Sequence, residues 1–140
     1  MTKAFSLIEL IFAIAIISII AIVSLPKLGS SLDKTNLIKI KSDVAMIRES
    51  LYQYRDKQIL QNQNILMDNL EQGNEVLFDK ILQYPILNSS VAKSGNWSKI
   101  SNSKYNVWIT SEVGLEFDYD SSTFSFDCDF RDKYCEELTQ

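Results

Sequence analysis

The chain has 140 residues, with 14 Lys or Arg against 18 Asp or Glu, a net charge of −4 and no histidine. That balance provides no broad basic surface for nucleic acid. Without imidazole there is no Ser-His-Asp or Cys-His nucleophile pair, no imidazole zinc site and no His-carboxylate iron triad, so neither an enzyme nor a bound cofactor is expected.

In chain order, Met1 to Ala4 is short and carries one charge, Lys3, which suits a cytoplasmic flank. Phe5-Ser6-Leu7-Ile8-Glu9-Leu10 then opens an almost unbroken apolar run that closes at Leu25-Pro26. About 20 apolar residues suffice for a helix to cross a bilayer core of about 30 Å, so residues 5–28 are expected to form a transmembrane and assembly helix. The run is longer than a signal-peptide core, and no small-x-small cleavage site follows it, so it is expected to stay with the protein. Glu9 is the one charge inside the run. An acidic side chain at mid-membrane costs about 2.5–3.5 kcal/mol on insertion scales, which marks it as functional. Lying one helical turn past Phe5, about 6 Å along the axis, it stands nearer the boundary and bears a smaller cost. It needs a positive partner. Pro26 removes a backbone donor and is expected to kink the helix, with Gly29 adding slack.

Leu37, Ile40, Val44, Ile47, Leu51 and Tyr54 recur at steps of three and four, with Lys39, Lys41, Asp43, Arg48 and Glu49 off the stripe. One long helix is read from Phe5 to about Lys57, apolar all round in its first half and amphipathic in its second. Lys34, Lys39 and Lys41 read as a solvated face rather than a phosphate site. Gln58 to Asn64 is a polar connection, Leu66 to Leu70 a helical turn, and Gly73 its stop. Asn74 caps a short helix from Glu75 to about Tyr84, ended by Pro85. Asn88 to Ser103 reads as a loop with one buried aromatic, Trp97.

Three strands follow. Tyr105, Val107 and Ile109 alternate with polar or amphipathic neighbours, as do Leu115, Phe117 and Tyr119, then Phe124, Phe126 and Cys128. They make a small antiparallel meander whose apolar face needs the helix stripe. The fold class is therefore α+β, with a long N-terminal helix packed on a small sheet. Residues 29–140 form one globular domain.

Asp118, Asp120, Asp127, Asp129 and Asp132 form an acidic group. Asp118-x-Asp120-x-Ser122, with Asp129 at the twelfth place, partly follows calcium-loop spacing. Thr123 stands where that loop turns on glycine, and its last ligand is usually Glu, so no metal site is assigned. An acidic outer face that discourages strand pairing is the plainer reading. Trp97 and Trp108 read as packing rather than a ligand platform. Cys128 and Cys135 are close in sequence and, in an exported chain, read as a disulfide. A metal pair there would need two carboxylates besides.

The opening stretch resembles the type IV pilin and type II secretion pseudopilin family. The short leader with Lys3, a small residue before the cut, Phe5, then Ser6-Leu7-Ile8-Glu9-Leu10, the apolar helix and Pro26 carry the likeness, over about a fifth of the chain. One departure is Ala4, where the family usually has glycine. The resemblance implies that residues 1–4 are a leader removed by a prepilin peptidase between Ala4 and Phe5, that Phe5 is N-methylated, and that Glu9 pairs with the N-terminal amine of a neighbouring subunit. It implies a structural role in a filament serving protein secretion or DNA uptake. The partners would be other pilin or pseudopilin subunits, an inner-membrane assembly platform, and membrane lipid before assembly. The location would be the bacterial inner membrane, single-pass, with the C-terminal domain in the periplasm, and then a periplasmic or surface filament. Two alternatives stay open: a tip subunit that binds DNA or another ligand, which the acidic balance disfavours for DNA, and a plain membrane-anchored exported domain.

Overall fold

The computed structural model describes residues 6–63 and 67–140, and the side chains of all of these except 21–33. The leader, Ala4, Phe5 and Leu66 lie outside the described residues, and Pro26 and Gly29 fall in the stretch without described side chains. Two compact units are present, one ending at Lys34 and the other comprising Thr35–Gln140. Helix α1, Leu7–Leu60, contributes to both.

In the first unit every described side chain from Ser6 to Ile20 is exposed. The expectation of a helix that is transmembrane in its first half is corrected here. Among the described residues no helix is long and apolar enough to cross a membrane. The single-pass inner-membrane location loses its basis with it.

In the second unit, Ile40, Val44, Ile47 and Leu51 on α1 are buried to 1% exposure or less. A repeat of four, three and four places them on one face. They pack into a core shared with a four-stranded antiparallel sheet in the order β3-β4-β5-β6. Its strands are β3 (Trp97–Lys99), β4 (Lys104–Trp108), β5 (Gly114–Asp120) and β6 (Ser125–Cys128). Strict alternation on β5 turns Leu115, Phe117 and Tyr119 inward and Glu116, Asp118 and Asp120 outward. Register brings Tyr105 opposite Phe117 and Tyr119 opposite Phe126. The Phe117 and Phe126 rings stack at 4.9 Å, and Phe78 meets Trp97 and Phe126 edge-on at 5.9 and 5.7 Å. Such offset and edge contacts add to the gain from burial itself.

A second, two-stranded sheet pairs β1 (Val76–Leu77) with β2 (Ile86–Leu87). It replaces the short helix read from Glu75 to Tyr84. Phe78 adopts φ 64°, a left-handed conformation that ends any helix there and that a bulky residue adopts only under constraint. Its fully buried ring supplies that constraint. The stretch read as a loop contains β3, and Phe124, read as the start of the last strand, lies in the preceding turn at φ 56°. The fold class as a whole is thus corrected: the chain combines helices with two antiparallel sheets, one of two strands and one of four.

A final helix, α2 (Lys133–Thr139), was not read from the sequence. Asp132 caps it by accepting from the Tyr134 N–H. The Cys128–Cys135 disulfide, with Cα atoms 5.8 Å apart, ties α2 to the end of β6. Both Cys135 and Leu138 sit in the core. Phe126, at the centre of the ring cluster, gives a direct test of the packing. Phe126→Ala is expected to cost about 3–5 kcal/mol, read as a lowered urea midpoint in tryptophan fluorescence of the full chain.

Candidate functional site

The described part of the N-terminal segment presents Leu7, Ile8, Leu10, Ile11, Phe12, Ile14, Ile16, Ile17 and Ile19 at more than half exposure. These residues surround the helix rather than forming one face, so no single neighbour on one side would cover them. Glu9 alone among residues 6–20 is charged. Its Oε2 accepts the Ser6 N–H at 2.9 Å, and Leu10 N–H donates to the Ser6 carbonyl at 3.2 Å. Ser6 and Glu9 thus make half of a capping box, in which the third helical residue turns back to a free backbone donor. The carboxylate also lies at the positive end of the helix dipole. Ser18 Oγ donates to the Ile14 carbonyl at 2.8 Å, which leaves Glu9 the dominant polar group of the described segment. Chemically this is an apolar rod with one acceptor fixed near its start.

Ala4 and Phe5 lie outside the described residues, as does the side chain of Pro26. Cys128 and Cys135 are joined. The acidic group is dispersed among separate partners. Asp118 pairs with Lys104 at 3.0 Å, Asp127 with Arg48 at 2.6 Å and Asp129 with Arg131 at 2.8 Å. Asp120 accepts the backbone and hydroxyl hydrogens of Ser122. Those bonds hold the Asp120 carboxyl below its usual range, and the Arg131 bonds do the same for Asp129. Among the described residues no group of three or more carboxylates, cysteines or histidines could hold a metal ion.

Several polar anchors were not legible in the sequence. Asp43, buried on α1, accepts the Trp97 indole N–H at 3.0 Å and faces Lys39 at 3.7 Å. Lys39 in turn donates to the Gly95 carbonyl at 2.9 Å. Arg48 donates to the Phe126 carbonyl as well as to Asp127, which covers the outer edge of β6 and blunts it against foreign strands. Glu71 and Lys99 form an ion pair at 2.7 Å with side chains 1% and 16% exposed. Losing one partner of such a pair costs about 3–5 kcal/mol, because the other charge stays buried.

Compared with protein-family models, with curated proteins and with solved structures, the chain matches none.

Burial pushes the Asp43 carboxyl above its usual range, against the opposing pull of Lys39 and of the Trp97 N–H. A carboxyl raised in the folded state holds its proton more tightly there than in the unfolded chain. Stability from this group is therefore greatest in acid and is lost as pH rises through the folded value. Asp43→Asn, which keeps an acceptor for Trp97, is expected to raise the urea midpoint at pH 7. The advantage should vanish on acidification to about 3.9, the ordinary carboxylate value. Asp43→Ala should instead destabilise by about 1–3 kcal/mol at either pH, because the buried indole N–H loses its acceptor.

Proposed function

We propose that the chain is a structural subunit of the pilin and pseudopilin kind, built head to tail with copies of itself or with related subunits into a filament. Its role is packing, not catalysis. The observation that carries this reading is the exposed apolar rod at residues 7–20 with Glu9 held at its start. The core of the second unit comprises residues from position 37 onward and closes without any described residue of the rod. Covering a Leu, Ile or Phe side chain is worth about 1.5–3 kcal/mol, and apolar surface of this extent marks a contact site. Other copies offer the same surface in the same number.

Glu9 supplies direction. Once the rod is covered by other rods, a lone carboxylate in that low-dielectric setting is costly, and a neighbouring ammonium offsets the cost. Cleavage between Ala4 and Phe5 would create such an amine at the matching end of each subunit. N-methylation of Phe5 leaves that nitrogen positively charged. Ser6 N–H already holds Oε2; Oε1 is the oxygen that a neighbour's amine would meet. Because rod start and rod flank are different surfaces, the contact does not close on itself, and an open helical array results. Protein secretion and DNA uptake both use such an array.

The test is Glu9→Val. Its share in filaments sheared from producing cells should fall at least about tenfold, the factor that ~1.4 kcal/mol already commands. The total cellular amount of the chain should be unchanged. Incorporation of Glu9→Val at the native level would contradict the role given to the carboxylate.

A further inference from the structure

The way the chain is held changes abruptly after β6. Up to Cys128 it is fixed by backbone and side-chain hydrogen bonds. The β5–β6 ladder sets Cys128 opposite Phe117, and Arg48 donates to the Phe126 carbonyl and to Asp127. From Phe130 to Gln140 every described hydrogen bond and ion pair finds its partner within residues 129–140. Arg131 bonds Asp129, the Asp132 N–H donates to the Asp129 carbonyl, and Asp132 caps α2. The Thr139 hydroxyl donates to the Cys135 carbonyl, and Gln140 bonds Glu136. What reaches out of the segment is apolar or covalent. It consists of the buried Cys135 and Leu138, the half-buried Tyr134 and the disulfide itself.

We propose that Cys128–Cys135 is a redox latch. Oxidised, it holds α2 closed against the core; reduced, it releases residues 129–140 while the rest of the second unit stays folded. The inference stands apart from the assembly reading and uses only the second unit. Helix α2 has seven residues, and isolated helices shorter than about 12–15 residues are marginal in water. Once the covalent tie is gone, little more than Cys135 and Leu138 opposes the entropy gained by freeing the whole segment. Phe130, 65% exposed, adds no anchor. A segment with few buried contacts and solvent-exposed hydrogen bonds opens on its own, ahead of the core. The core has no such dependence on the segment. Phe78, Trp97, Tyr105, Phe117 and Phe126 contact one another ring to ring without any residue beyond position 128.

Opening requires a dithiol as the reductant. One of its thiolates attacks a sulfur of the bridge and forms a mixed disulfide, which its second thiol then resolves. The reagent ends as a disulfide, and Cys128 and Cys135 end as two thiols with the two electrons and two protons gained. Both half-cystines are buried, at 6% and 0% exposure, so the attack follows a transient opening of α2. The open form carries Cys135 and Leu138 into water and bares the inner face beside Cys128 and Phe117. The latch thereby decides whether the second unit shows an apolar patch of its own.

The experiment is hydrogen exchange read by mass spectrometry on the full chain, before and after dithiothreitol, with reduction confirmed by alkylation of both thiols. Exchange in residues 133–139 should rise at least about tenfold, while residues 44–51, 105–109 and 115–119 change by less than about twofold. The double substitution Cys128→Ser and Cys135→Ser should reproduce the reduced pattern; it needs no reductant, so burial of the sulfurs cannot mask the effect. Unchanged protection at 133–139 in that variant overturns the proposal, because packing alone then holds α2. Faster exchange of the core segments together with 133–139 also overturns it, because the bridge is then a staple for the whole unit.

Discussion

Burial of one face of α1 against a sheet of aromatic rings is the interaction on which the second unit depends. Ile40, Val44, Ile47 and Leu51 meet a core built from Trp97, Tyr105, Phe117 and Phe126, with Phe78 inserted among the rings. Apolar side chains alone would leave the rotation and height of the helix loosely set. Polar anchors remove that freedom. Asp43 fixes α1 to β3 through the indole of Trp97, and Arg48 fixes it to β6 through Phe126 and Asp127. Each anchor puts a charged group into a partly buried place, where a missing partner is expensive. The anchors therefore specify one arrangement more than they add net stability.

The same helix carries surface that this core does not use. Residues 7–20 are apolar on all sides and exposed, while the core of the second unit is complete without them. Helical stability in proteins comes mostly from packing an apolar face, and in the proposed filament neighbouring subunits would supply that packing. In the proposed filament Glu9 would make that packing directional, since its carboxylate is held at one end and a covered carboxylate needs a neighbouring cation. Assembly, on this view, follows from what the fold leaves uncovered.

How much of this was legible in the sequence depended on distance along the chain. The steps of three and four from Ile40 to Leu51 and the alternation from Leu115 to Tyr119 are local, period-bound signals, and both correspond to buried faces. Strand β3 has only three residues in a polar stretch, too few for a period to show. Val76, Leu77, Ile81 and Leu82 carry helix-like spacing, yet the left-handed turn at Phe78 and pairing of Val76 with Leu87 override it. Asp132 reads as one more acidic residue until the helix that it caps is seen. Asp43 and Trp97 lie 54 positions apart, so their bond has no local trace. The membrane expectation rested on a run of about 20 apolar residues; among the described residues no helix is long and apolar enough to cross a membrane, and the spanning reading is withdrawn. The N-terminal motif stays legible as a pattern of residues, with Ala4 and Phe5 outside the described part.

The central claim is that Glu9 answers an amine created at Phe5, and the covalent state of the N-terminus tests it most directly. Intact mass measurement of the chain from assembled material, followed by fragmentation of its first residues, reads that state. The expected result is a chain that begins at Phe5 with one added methyl group on its nitrogen. An assembled chain that still carries Met1 to Ala4, or one that begins at another residue, would contradict the claim.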